Sequence, residues 1–385
     1  MKDVTHKKVT GSEQLQEVFR AAQTANTPVS LYRSPQPGGI SLDFSRWNEI
    51  EIFDVDNLMA IVPPGITLRE LNAVAAAKGL RFIPADTPMY ESLSVGEWAY
   101  RGCPNPSAWK YGAGKHFLLG ATYVFPNGDM TPVGGRCIKN VTGYDFTRFL
   151  TGPYADLAVG VQYIIKLMPQ PACRQRFAAT LASLASVTSF IDRLQNRSVP
   201  PAWLFWADAA AGRKLLNQGE GHTLLFELDG NEAEVRDYAA AVNVLLTECG
   251  GTVHHQPPAP PDMSFLEVAE EAFWLLDEFK MPYQAVPAFA DRFVPLLTAQ
   301  GGRGGLFGHL ADGRIHLYLE QVPSDRDSFI ADLQQAVRAV GGTGSGKYAR
   351  LYQQRPDDPL TLLESAFRKK TDPALLFNRQ EVAVQ

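Results

Sequence analysis

Two histidines bracket a tight turn in the segment Gly308-His309-Leu310-Ala311-Asp312-Gly313-Arg314-Ile315-His316. Histidine has an ordinary pKa near neutrality, so such a pair can exchange protons at physiological pH. Arg314 lies between them, and Lys280 precedes the turn. Cations of this kind hold carboxylates. Asp312-Gly313 is a turn signal, so the segment reads as strand, turn, strand. The plainer reading is a hairpin with two vestigial histidines.

A second group of residues could hold phosphate. The loops Arg33 to Gly39 (RSPQPGG) and Ser92 to Gly102 are rich in glycine and serine. Backbone N–H groups in such loops grip a pyrophosphate because no Cβ blocks the approach. A third stretch, Lys139 to Leu167, carries Gly143-Tyr144-Asp145 near its start and the turn Gly152-Pro153-Tyr154. From Val159, the alternation Val159, Val161, Tyr163, Ile165, Leu167 predicts a strand with one apolar face. Gly160 lies inside it, where a missing side chain marks close approach by a ligand or another backbone.

These residues need a scaffold. Residues 12 to 23 predict an amphipathic helix with Leu15, Val18 and Phe19 inward. Strands are expected at Pro28 to Tyr32, Ile40 to Phe44 and Ala60 to Val62. Pro63-Pro64-Gly65 is a turn. Thr67 and Glu70 form a capping box for a helix burying Leu68, Leu71, Val74 and Ala75, with Gly79 at its stop. Residues 84 to 115 read as loop-rich. Strands near 119 to 125 and Met130 to Val133 flank the turn Pro126 to Asp129. Beyond Pro171 come a helix at 181 to 195, a strand at 223 to 228 and a helix at 231 to 248, alternating on to about 341.

At 385 residues, 45% hydrophobic and 20% charged, the chain is long enough for two globular domains. A net charge of −5 without a basic block argues against nucleic acid as a partner. No apolar run reaches the length of a membrane span, so no transmembrane segment is expected. The opening MKDVTHKKVTGSEQ has no apolar core behind its basic residues, so a secretory signal is not expected. Cys103, Cys137, Cys173 and Cys249 are not at CxxC spacing, which leaves no cysteine-bound zinc or iron–sulfur cluster and fits reduced thiols.

Residues 40 to 171 resemble the FAD-binding domain of the vanillyl-alcohol oxidase/p-cresol methylhydroxylase superfamily. VPPGITLRELNAVAAAKGLRF resembles its strand, Pro-Gly turn and helix. GATYVFPNGDMTPVGG resembles its hairpin, and KNVTGYDFTRFLTGPYADLAVGVQYIIKLMPQP its Lys-Asn-x-x-Gly-Tyr-Asp signature and closing strand. Within it, the glycolate oxidase flavoprotein subunits are most similar, above all the shorter one. Their Gly-x-Val-x-Lys-Asn-Val-x-Gly-Tyr-Asp-x-x-Arg-Leu pattern runs from Gly135 to Phe149, with Cys137 and Phe149 as departures. LLFELDGNEAEV and TDPALLFNRQ also resemble family segments, the latter with Arg379 in place of a proline.

The resemblance implies an α+β fold, with an FAD-binding domain of two α/β subdomains in residues 1–174. A smaller α+β cap would follow in 175–345, and an arm at 346–385 would return to the first domain. It implies FAD, expected to be non-covalent because no His or Cys is placed convincingly for attachment, with Ser34, Gly38, Gly39, Pro64, Gly65, Ser94, Val95, Gly96 and Gly102 toward the phosphates. Lys139, Asn140, Gly143 and Tyr144 would line the flavin, and Gly160 and Val161 the adenine or ribose. The histidine segment resembles the Gly-His-x-Gly-Asp-Gly-Asn-x-His motif of flavin-dependent 2-hydroxyacid dehydrogenases. His316 is then the first candidate base, His309 the second, and Lys280 and Arg314 would bind the carboxylate of a small 2-hydroxy acid. No metal is expected. The implied partners are a larger flavoprotein subunit and an iron–sulfur subunit, and the implied location is cytoplasmic or peripheral to the inner membrane through them.

Several positions depart from the family pattern. Pro35 and Pro37 cannot donate N–H groups where relatives have Arg-Gly-Gly-Gly-Thr-Ser. Glu97 replaces a glycine, and a carboxylate there repels pyrophosphate unless it points away. Ala311 and Arg314 replace Gly and Asn. SGKYARLY, from Ser345, lacks the Glu and His of the family segment. These changes keep a second reading open, an assembly or electron-relay subunit with a decayed substrate site. Two other motifs carry little weight. Gly341 to Lys347 fits the start of a P-loop, but Tyr348 stands where Ser or Thr must bind magnesium. His254-His255 beside a Pro-rich loop reads as surface.

Overall fold

The computed structural model describes residues 3–32, 35–86, 89–136, 145–261, 278–321, 323–344 and 359–378. Ser34, Cys137, Lys139, Asn140, Gly143, Tyr144, the SGKYARLY segment and Arg379 lie outside them.

The alternating stretch forms the strand Val159–Lys166, and Val159, Val161, Tyr163, Ile165 and Leu167 are all buried. It is the central strand of a five-stranded antiparallel sheet, ordered Ile52–Asp54, Met59–Val62, Val159–Lys166, Leu118–Val124, Met130–Gly134. The hairpin joining the last two turns at Gly128 (φ 87°), with Asn127 Oδ1 accepting from the Asp129 N–H at 3.0 Å. Gly152-Pro153-Tyr154 opens a 3-10 turn that continues to Leu157.

A smaller parallel sheet places Ile40–Asp43 between Thr5–Lys8 and Val29–Ser30. Parallel neighbours need a crossover. The helix Ser12–Ala25 supplies it and buries Leu15, Val18, Phe19 and Ala22. The strand expected over Pro28 to Tyr32 is limited to Val29–Ser30, because Tyr32 has φ 55°, outside the β region. The last described residues return to this sheet: Val29 N–H donates to Leu376 O, and Asn378 N–H to Val29 O at 2.8 Å.

The helix Leu68–Ala76 carries the expected capping box of Thr67 and Glu70. Leu68, Leu71 and Ala75 form its buried stripe; Val74 falls beside the stripe and is 40% exposed, contrary to expectation. The loop-rich stretch contains two short helices, Val95–Tyr100 and Ala108–Tyr111.

The second half is built on an eight-stranded antiparallel sheet. Its order is Thr252–His254, Cys173–Leu181, His222–Gly230, Trp203–Ala207, Arg303–His309, Arg314–Gln321, Glu278–Lys280, Thr343–Gly344. The helices Leu184–Asn196, Glu232–Glu248, Val286–Ala299 and Arg326–Ala339 bury their apolar stripes on one face. The other face, with Trp203, Phe205, Ala207, Leu225 and Phe307, joins the core of the first half in one apolar cluster. Trp203–Ala207 is therefore apolar on both sides, as a strand covered on both faces must be.

Candidate functional site

The register of the large sheet gathers the four candidate catalytic residues. His309 stands opposite Arg314, Phe307 opposite His316, and Lys280 opposite Arg314. Directly opposed residues project from the same face. Ile315 and Leu317 belong to the helix side, so Arg314 and His316 face the first half with Phe307. His309 and His316 are buried, Arg314 is partly buried and Lys280 is exposed. The face therefore grades from an apolar, histidine-bearing interior to a cationic edge.

Local structure holds this arrangement. Gly313 turns the hairpin at φ 77°, and a Cβ there would overlap Met281 O. Asp312 Oδ1 accepts from the Arg314 N–H at 3.3 Å, and Asp312 Oδ2 lies 3.3 Å from Arg314 Nε. His309 Nδ1 lies 3.2 Å from Leu204 O. The His316 ring stacks on Phe307 with centroids 5.3 Å apart, and Phe205 meets His309 edge-on at 6.1 Å. An aromatic wall thus orients both imidazoles. Sequence reading missed Phe205, Phe307 and Trp203. The signal was present in Trp203-Leu204-Phe205-Trp206-Ala207, a run apolar at every position.

The cofactor-side candidates converge on another place. Tyr32, Gly96 and Gly160 line one cavity, together with Tyr100, Tyr123 and Tyr163. Its volume is about 10 Å³, room for a single water. Each glycine answers a neighbouring group of the protein. A Cβ on Gly96 would overlap Tyr32 Oη, and one on Gly160 would overlap Tyr163 Oη. Gly65 lies against Phe44 O, leaving no room for a Cβ, and Gly102 (φ 87°) against Gly152 Cα. Gly39 closes a turn onto Gln36 O at 2.9 Å, with Gly38 at φ 74°. Pro64 O accepts from the Gly96 N–H. Ser94 caps the short helix that begins at Val95, and Val95 and Val161 are core residues.

The tyrosines form a network. Tyr32 and Tyr100 have centroids 5.3 Å apart, and Tyr32 Oη lies 3.5 Å from Ser94 Oγ. Tyr100 donates to Asp156 at 2.8 Å. Part of Tyr32 reaches the surface, but its hydroxyl is enclosed. That enclosure pushes its pKa above the ordinary phenol range, against the opposing hydrogen bond with Ser94. Burial does the same to Tyr123 and Tyr163, so all three stay protonated. Tyr123 Oη is buried without a hydrogen-bond partner among the described residues. Glu97 is held by Arg101 at 2.7 Å, so its charge is compensated within its own helix. As these side chains stand, the cavity does not fit FAD.

No helix among the described residues is long and apolar enough to cross a membrane. Residues 8–134 match the model of an FAD binding domain, and residues 177–380 that of the C-terminal domain of FAD linked oxidases. An uncharacterized FAD-linked oxidoreductase of Mycobacterium tuberculosis is 25% identical, the match covering 95% of this chain and 88% of that one. A D-lactate dehydrogenase of Archaeoglobus fulgidus is 25% identical over 89% of this chain and 81% of its own length. The glycolate oxidase subunit GlcE of Escherichia coli is 27% identical over 54% and 61%. The solved structure of p-cresol methylhydroxylase with substrate bound superposes with a TM-score of 0.72 and 17% identity, covering 97% of this chain and 87% of that one, and so shares its fold. With the oxidase model matched over more than half of its length, the chain belongs to the FAD-linked oxidase family, an FAD-linked oxidoreductase whose cofactor is FAD.

Proposed function

We propose that the protein is a glycolate-oxidase-type subunit that oxidises a small 2-hydroxy acid. The observation that carries this reading is the single sheet face shared by His309, His316, Arg314 and Lys280. Arg314 and Lys280 bind the carboxylate, and His316 takes the hydroxyl proton, with His309 as the second candidate base. Oxidation of the carbinol carbon also releases a hydride, which is what FAD accepts when bound. The relatives named for D-lactate and glycolate oxidation support this substrate class. Residues 1–174 serve as the FAD domain, 175–345 as the cap and 346–385 as the returning arm. The four cysteines have no cluster spacing, so electrons leave through a partner; the resemblance to glycolate oxidase subunits makes that partner an iron–sulfur subunit beside a larger flavoprotein subunit, in the cytoplasm or at the inner membrane through those partners.

The tyrosine-filled cavity favours a second reading, a subunit that assembles or relays electrons without turning over substrate itself. Flavin reduction by glycolate and D-lactate, in the purified chain loaded with FAD, separates the two. Bleaching of the flavin absorbance that disappears in His316→Ala supports catalysis. A flavin that neither acid reduces supports the assembly role.

A further inference from the structure

Tyr32 holds an unusual place. It ends the strand Val29–Ser30 with a left-handed backbone, φ 55°, which a bulky side chain seldom adopts. A residue held there is over-determined by its surroundings. Here the surroundings are rings and glycines. Tyr100 packs at 5.3 Å, Phe44 meets the ring edge-on at 6.5 Å, and Tyr32 Oη fills the space that Gly96 leaves by having no Cβ. Across the cavity, Tyr163 Oη takes the space left by Gly160. The two glycine stretches that resemble cofactor loops therefore have their clearance taken by tyrosines, Gly96 by Tyr32 from a distant strand end and Gly160 by Tyr163 of its own strand. Tyr123 Oη, buried and without a partner among the described residues, adds a third hydroxyl to a mostly apolar lining around room for one water.

We propose that the Tyr32 ring is a built-in plug of the cofactor cleft, and that FAD binds only to the minor population in which this ring has swung out. The proposal rests on FAD being the cofactor, as the family assigns. The physical consequence is simple. A ligand that binds only an open form has its apparent affinity reduced by the open fraction. FAD occupancy then becomes an adjustable property of this chain, set by one side chain rather than by the loss of phosphate contacts.

The test is FAD titration by quenching of flavin fluorescence, on wild type, Tyr32→Gly and Tyr32→Phe. Tyr32→Gly removes the ring and suits the left-handed backbone, whereas Tyr32→Phe keeps the ring. The expected result is at least a tenfold lower Kd in Tyr32→Gly, with Tyr32→Phe within about twofold of wild type. Equal affinity in all three overturns the plug and leaves the FAD assignment standing. Absence of binding in all three overturns both.

Discussion

Arg81 and Asp229 meet at 2.8 Å, 148 residues apart in sequence, with both side chains buried. They join the two halves of the protein. Arg81 comes from the short strand Leu80–Arg81, and Asp229 from the large sheet. Lys110 lies 2.6 Å from Asp229, and Tyr111 donates to it at 2.8 Å. Arg81 also pairs with Asp86 at 2.6 Å, and Arg174 with Asp86 at 2.8 Å.

Removing Asp229 leaves Arg81 buried with one carboxylate fewer. Breaking a buried pair costs about 3–5 kcal/mol, and the surviving Asp86 contact puts this site at the lower end. Asp229→Ala is expected to lower unfolding stability by about 3 kcal/mol in a denaturant titration. A change below about 1 kcal/mol would show that the network is not a structural clamp.

The same carboxylate predicts acid sensitivity. Burial works to raise the Asp229 pKa, but hydrogen bonds from Lys110, Arg81 and Tyr111 outweigh it and hold the pKa below the ordinary value. A depressed folded-state pKa contributes stability that is fully present above the unfolded value of about 3.9 and is lost as pH falls through the folded one. The wild type should lose more stability than Asp229→Asn between about pH 5 and pH 2. Thermal melts across that range measure the difference, and parallel profiles would contradict it.

His316 and Arg314 should fail in different ways if the sheet face is catalytic. His316→Ala is expected to lower kcat for the hydroxy acid by about 10²-fold or more with little change in KM. Arg314→Ala is expected to act mainly on KM, since it removes a carboxylate contact. Steady-state kinetics on the FAD-loaded protein distinguish them, and matched losses in kcat for both would remove the division of roles.

The returning arm is expected to be essential. Asn378 is buried; its Oδ1 accepts from the Leu31 N–H at 2.8 Å and its Nδ2 donates to Asp156 at 2.9 Å. Asn378→Ala strands both groups, at about 1–3 kcal/mol each. The melting temperature should fall accordingly, and the nearby Tyr32 cavity should loosen, which faster hydrogen exchange at Leu31 would reveal.

Much of this was legible without coordinates. The period-two run from Val159 to Leu167, the Thr67–Glu70 capping box and the glycine turn at Gly313 are local features, set by backbone geometry within a few residues. The histidine hairpin was likewise readable, and its turn placed His309 and Arg314 in register. Family membership followed from the order of such local signals along the chain. Tertiary structure decided what fills the gaps between them. Sequence marked Gly96 as a position of close approach, but not that Tyr32 is what approaches. It marked Arg81 and Asp229 as charged, but not that they meet. Periodicity and capping depend on neighbours fixed by covalent connection. Occupancy of an interior space depends on side chains brought together from distant strands, where packing at close contact admits one ring or another but not both.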